Sequence, residues 1–366
     1  TAAQANGKTI TGATATAGGS DAGGSIAITG IDNSSLNFAN LSGGAANGGS
    51  TTAGTVTSTI GANLTLHSGT VLGNVALTVA KDAILTLSAA QASGKTIGGA
   101  ASTGSGEVGG SVVVTSLDGS AAYLLNTLTA GGSSGGGSAG SITAAVAVDT
   151  TLNGSTDLGA TVVTVASNAE LTLSATQASS KTITGATATS GGSHHGGSVV
   201  VTGLDGSAAY ILSSLTAGAA NGGSTTAGTV TAAVAVDAEL NGSTVLGATV
   251  VTVAKTKTLT LTAAQASGKT IGGEAATVSG TAGGSIILTG IDNSSLNFAN
   301  LSAGATGSGG NAGEVTSEIT INLALHSGTV LGNVALTVAK TKTLTLTAAQ
   351  ASGKTIGGAA STGSGE

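Results

Sequence analysis

The chain has 366 residues, 63 of them Gly, with no Pro, Cys, Met or Trp, 1% aromatic residues and 7% charged residues. A hydrophobic fraction of 40% excludes the apolar-poor composition of a disordered chain, and the lack of Cys excludes disulfide staples and thiolate chemistry. The net charge of −6 leaves no basic patch for nucleic acid, and no apolar run reaches the length of a transmembrane helix.

The first residues carry the phrase that organises everything after them. Ala-Ala-Gln-Ala-Asn-Gly-Lys-Thr-Ile runs from Ala2 to Ile10, and near-copies centre on Gln91, Gln177, Gln265 and Gln350. A fixed period of about 86 residues marks a repeat architecture. The units are 1–88 (type A), 89–174 and 175–262 (type B), 263–347 (type A) and 348–366, the start of a fifth. Thr29 to Ser42 is identical to Thr289 to Ser302, which pairs the first unit with the fourth. The chain begins inside a repeat, so it reads as a window on a longer array.

Strand signals recur in every unit. The first is Ile26 to Ile28, matched by Val112 to Val114, Val199 to Val201 and Ile286 to Leu288. These continuous apolar runs predict strands buried on both faces or a very small core. Val75 to Val79 and Val334 to Val338 form a second set. The third is a period of two, Leu85 to Leu87, Leu171 to Leu173, Thr258 to Thr262 and Leu344 to Leu346, with one apolar face. Gly/Ser/Ala stretches between them, such as Gly131 to Gly140 and Ala217 to Ala227, have the makeup of turns and flexible excursions. The stretch Ala121 to Leu128 is the one candidate for a short helical turn.

Each unit has one acid at a turn: Asp32, Asp118, Asp205 and Asp292. An Asp-Gly or Asp-Asn step tolerates left-handed backbone. One aromatic follows, Phe38, Tyr123, Tyr210 or Phe298, and reads as a corner plug over a thin Ala/Val/Leu/Ile core.

Two folds fit this period. The leading one is all-β, an elongated parallel β-solenoid of about 20 residues per coil and about four coils per repeat. The alternative is a string of immunoglobulin-like β-sandwiches, one per repeat.

The chemical motifs reduce to structural readings. Gly-Lys-Thr recurs at Gly7, Gly94, Gly268 and Gly353, but a phosphate loop needs a Gly five residues earlier, where Ala2, Ala89, Ala263 and Ala348 stand. It reads as a β-turn entering a strand, with the Lys solvated. His67 and His326 align with Asn153 and Asn241 at a turn, and His194-His195 lies in one loop, Gly191 to Gly197, without the further ligands a metal requires. Calcium is the one cofactor left open. Asp32, Asp118, Asp205 and Asp292 are its candidates, each a single carboxylate where calcium takes 6–8 oxygens. Catalysis finds neither paired acids nor a Ser with a His partner, and an active site repeated four times is not how enzymes are built. No catalytic residue is assigned.

Leu259 to Ile271 (Leu-Thr-Leu-Thr-Ala-Ala-Gln-Ala-Ser-Gly-Lys-Thr-Ile) and Gly197 to Gly206 (Gly-Ser-Val-Val-Val-Thr-Gly-Leu-Asp-Gly) resemble the giant Thr/Ala/Gly/Val-rich repeat proteins of bacterial cell surfaces, adhesin-like and surface-layer-like. The resemblance covers the whole chain. It implies an extracellular, non-enzymatic structural protein of a filament, sheath or layer, or alternatively an adhesin that binds carbohydrate. Unpaired strand edges on the terminal coils make self-association, end to end or laterally, the expected partnership, with surface glycans as a second. Carbohydrate binding through the aromatic residues requires Phe38 and Tyr123 to be exposed.

Overall fold

The computed structural model describes residues 1–16, 21–48, 51–190, 193–223, 225–307 and 309–360. The chain is all-β, and every strand pairing given for the described residues is parallel. It is a parallel β-solenoid. Immunoglobulin-like sandwiches are built from antiparallel strands, so that alternative is overturned.

Two compact units divide the chain, Thr1–Ala169 and the part from Glu170 onward. In the first, a 5-stranded sheet runs in the order Leu128–Thr129, Ile97–Gly99, Val75–Val79, Val56–Ile60, Ile26–Ile28. The facing set takes Leu64–Thr65, Ile84–Ser88 and Ser111–Thr115 from between these in sequence and continues with Ile142–Val146 and Val162–Val165, all successive neighbours. In the second unit, a 6-stranded sheet runs Ala238–Glu239, Thr258–Thr262, Ser285–Thr289, Val315–Ile319, Ala335–Val338, Ile356–Gly358. Its counterpart includes Glu170–Ser174, Ser198–Thr202, Val230–Val234, Val250–Val253, Ile271–Gly273 and Leu301–Ser302.

Each strand therefore pairs with the next but one in sequence, and a coil is two strands. From Glu170–Ser174 up to Thr258–Thr262, one repeat later, the chain makes seven strands. Seven is odd, so a repeat is three and a half coils rather than four. Equivalent strands consequently change sheet at each repeat. Glu170–Ser174 and Thr258–Thr262 lie in different sheets of the second unit, as Ile26–Ile28 and Ser111–Thr115 do in the first.

The core follows the period of two. Val56, Ser58 and Ile60 point inward while Thr57 and Thr59 are exposed, and Leu259 and Leu261 are buried between half-exposed threonines. The Val-Val-Val strands are not buried on both faces. Val112 and Val114 face the core, whereas Val113 is half-buried on the outer face, in register with Thr86 on one side and Thr143 on the other. Shielding by these β-branched neighbours is what makes an outward Val acceptable there.

The Gly-rich stretches are ordered differently from flexible loops. Four backbone segments stack in one file where the chain leaves one sheet and enters the other. Gly110 N–H donates to Ala100 O at 2.8 Å, Gly131 N–H to Gly110 O at 2.9 Å and Gly140 N–H to Gly131 O at 2.8 Å. The same file recurs at Ala13, Gly24, Gly44 and Gly54, at Ala186, Gly197, Gly218 and Gly228, and at Glu274, Gly284, Gly304 and Gly313. A Cβ on Gly131 would stand 2.0 Å from Ala100 O, so only Gly admits this approach. Between file positions the chain makes excursions that stack in pairs, tied by parallel bridges such as Val108 to Ser138 and Ala282 to Asn311.

Candidate functional site

The repeated phrase is a joint between coils. Its Ala-Ala-Gln-Ala core is one helical turn, found at Ala2–Ala5, Ala89–Ala92, Ala263–Ala266 and Ala348–Ala351, and as Ala-Thr-Gln-Ala at Ala175–Ala178. The predicted helical turn at 121–128 is absent, because residues there continue the coil through the turn at Asn126 and into the strand at Leu128. What sets the helix is a capping box. Ser88 Oγ accepts from Gln91 N–H at 3.2 Å, and Gln91 Oε1 accepts from Ser88 N–H at 3.0 Å. Thr1, Ser174, Thr262 and Thr347 do the same for Gln4, Gln177, Gln265 and Gln350. The Ser/Thr-x-x-Gln spacing is the signal that sequence reading passed over.

With its oxygen held by the cap, the Gln amide nitrogen reaches the preceding coil. Gln91 Nε2 donates to His67 O at 2.8 Å and Thr70 O at 3.1 Å. Gln265 Nε2 donates to Asn241 O at 2.7 Å and Thr244 O at 3.1 Å, and Gln350 Nε2 to His326 O at 2.8 Å and Thr329 O at 3.2 Å. The Lys of Gly-Lys-Thr is not solvated as expected. Lys95 Nζ donates to Gly73 O at 2.7 Å, Lys269 Nζ to Gly247 O at 2.7 Å and Lys354 Nζ to Gly332 O at 2.5 Å. His67 and His326 lie in the turns the Gln amides grip, each ring accepting through Nδ1 from the N–H two residues on, at 3.0 Å.

The four acids close Asx turns. Asp32 Oδ1 accepts from the N–H and hydroxyl of Ser34, at 3.0 and 2.5 Å, and Asp292 does likewise with Ser294, at 2.9 and 2.5 Å. Hydrogen bonding by Ser34 and Ser294 lowers both carboxyls below the usual Asp range. Asp118 Oδ1 accepts from Tyr123 Oη at 2.6 Å and from Ser120 N–H at 3.0 Å, and these bonds bring its pKa down to about 2. Asp205 accepts from Ser207 N–H at 2.9 Å and Tyr210 Oη at 2.8 Å and is also lowered, the Ser207 bonds leading. A further acid is tied across an excursion. Lys81 Nζ lies 2.6 Å from Glu107 Oε1, and Thr103 N–H donates to Glu107 Oε2 at 2.7 Å, which together pull Glu107 to about 2.

Among the described residues no three His, Asp or Glu gather where they could hold a metal ion. The Asx-turn acids stand one to a turn. Gly191 and Gly192 lie outside the described residues. His194 and His195 sit on the paired excursion, where Thr226 N–H donates to His194 O at 3.0 Å and His195 Nδ1 lies 3.2 Å from Gly196 O. Phe38, Tyr123, Tyr210 and Phe298 are all buried and offer no ring face to a sugar. No helix of the described residues is long and apolar enough to cross a membrane.

The aromatics do not occupy one corner position. Leu36 N–H and Tyr123 N–H make the same bond, to Thr70 Oγ1 at 3.4 Å and Thr156 Oγ1 at 3.2 Å. Tyr123 is thus the counterpart of Leu36, and Leu125 of Phe38. Each corner buries one aromatic and one Leu, in opposite order in the two repeat types.

No protein-family model, curated protein or solved structure matches this chain.

Proposed function

We propose that this chain is a non-enzymatic structural protein of the cell surface, a repeat array that forms or decorates an extracellular filament, sheath or layer. The observation that carries the reading is the joint. The same Gln and Lys side chains, repeat after repeat, are engaged in tying one coil to the one before it. Repetition of a fastening, rather than of a cleft with reactive groups, favours a part whose task is to extend. Self-association end to end through strand edges, or laterally through the outer sheet faces, is the way such an array grows.

Electron microscopy of the purified protein tests this. Rods or fibres whose length scales with repeat number are expected. Compact globular particles at every repeat number overturn the proposal. Surface labelling of producing cells checks the location, and label confined to lysed cells counts against it.

A further inference from the structure

Backbone pairing between coils lapses between residues 67–73 and residues 88–95. Val71 N–H donates to Leu36 O and Phe38 N–H donates to Val71 O, both at 2.8 Å. Along an extended segment, backbone groups of successive residues point to opposite sides. Thr70 N–H donates to His67 O and Leu72 O accepts from Val75 N–H within the turn, which leaves Thr70 O and Leu72 N–H on the side of the Ser88 to Lys95 phrase. No backbone–backbone bond crosses from residues 67–73 to residues 88–95. Only the Gln91 and Lys95 side chains do. Between them lies a groove of about 310 Å³, with Ser68, Val71, Leu72, Ala90, Gln91 and Lys95 in its lining. The same groove recurs where the fourth repeat meets the fifth, at Val330, Leu331, Gln350 and Lys354, with about 530 Å³. Both volumes lie in the range of small-ligand sites, roughly 300–1,000 Å³.

The groove has more donors than acceptors. Thr70 O is taken by Gln91, Gly73 O by Lys95, and Gln91 Oε1 by Ser88. Among the described residues the N–H groups of Leu72 and Leu331 meet no acceptor, although both residues are buried. An ammonium has three donors, and Lys95 places one on Gly73. The lining contains no acid. A ligand that satisfies this set brings acceptor oxygens and negative charge. Beside these donors, Val71 and Val330 are 45% and 46% exposed and present an apolar wall. A carboxylate on a sugar ring meets both demands, the oxygens on Leu72 N–H and Lys95 Nζ, the ring's C–H face on Val71.

From this we infer that the groove binds the carboxylate-bearing residues of an acidic polysaccharide. Val245 of the third repeat and Lys269 of the fourth place the same pair together, whereas the second repeat has Asp157 at the position of Val71, a carboxylate that repels such a ligand. The inference does not rest on the filament reading. Particle shape tests that one and binding tests this one.

Calorimetry with an oligogalacturonate, its neutral methyl ester and inorganic phosphate separates the possibilities, read together with the Leu72 and Leu331 amide resonances of protein labelled with ¹⁵N-leucine. The acid oligomer is expected to bind and to shift both amides, with the ester and phosphate at least about tenfold weaker. Equal binding of the ester, equal binding of phosphate alone, or no shift at Leu72 and Leu331 overturns the inference. Val71→Asp, Val245→Asp and Val330→Asp in one chain reproduce a side chain the fold already holds at Asp157. That variant is expected to lose binding about tenfold or more with its melting temperature kept. Unchanged affinity in it also overturns the inference.

Discussion

Gln91 Nε2 donates to the carbonyl of His67 at 2.8 Å across 24 residues of chain, while the other end of the same amide caps the helical turn that carries it. One side chain thus fixes a local structure and a coil-to-coil contact together. Gln91→Ala removes the cap acceptor and two bonds to the preceding turn. Each net hydrogen bond contributes roughly 1 kcal/mol and a cap about as much, so a loss of about 2–3 kcal/mol is expected. Native-state hydrogen exchange is the better probe than bulk melting, because repeat arrays open locally. The increase should centre on residues 67–73 and 88–95. A uniform increase over the chain would contradict the local joint.

The Gly file predicts a contrast between neighbours. Gly131→Ala puts a Cβ 2.0 Å from Ala100 O, and Gly132→Ala meets nothing within 4 Å. The first should cost at least about 2–3 kcal/mol through forced backbone movement. The second should stay within about 0.5 kcal/mol of the parent. Denaturant titration of the two variants side by side decides it. Equal losses would mean that the file is not as close-packed as these distances require.

Strands such as Thr258–Thr262 were legible in sequence because alternation is local, visible in five consecutive residues. So was the solenoid, through the period and the lack of Pro. The helical turn has a sequence signal too, in Ser88 and Gln91 three apart, but four residues are too few for a helical period and the Gly94-Lys95 step beside them carries a turn signal of its own. The change of sheet between Glu170–Ser174 and Thr258–Thr262 was not legible. It depends on counting strands, and two-residue strands such as Ala238–Glu239 leave no periodic signal. The Gly file was hidden for a different reason. Gly131, in the file, and Gly132, beside it, are the same residue in the same composition, and only the segment stacked against them tells them apart.

The Asp118 carboxyl has a pH signature with a definite sign. Its pKa is held at about 2 in the fold, with Tyr123 Oη as the largest cause, against 3.8 ordinarily. A depressed folded value means the ionised form is the one the fold prefers. The stabilisation is complete above the unfolded value and is lost as pH falls through the folded one, between about pH 4 and pH 2. Tyr123→Phe removes the first cause and leaves the two Ser120 bonds, so Asp118 should titrate higher, between about 2 and its ordinary value. Carboxyl NMR titration of both proteins measures this directly. An Asp118 that titrates at the same pH in both would show that the phenol bond contributes nothing. The phenol itself is raised above its usual range by the Asp118 bond, so its ionisation should fall back if Asp118 is replaced by Asn.

Corner packing makes the last prediction a coupled one. In the first repeat Leu36 and Phe38 fill the corner, and in the second Tyr123 and Leu125 fill the equivalent positions, all four 4% exposed or less. The exchange of ring and Leu between the two positions predicts a volume shared by both. Phe38→Leu alone leaves a void where the ring was and should cost about 1–3 kcal/mol, within the range for shrinking a fully buried side chain. Leu36→Phe alone forces a second ring into a filled corner, a similar cost by overpacking. Made together, the two changes restore one ring and one Leu in the order the second repeat already uses. The double variant should therefore be more stable than the sum of the single losses predicts, with a favourable coupling of about 1–3 kcal/mol in a double-mutant cycle. Additive losses would mean that the two side chains fill separate spaces, and that the exchange between repeat types has no packing origin.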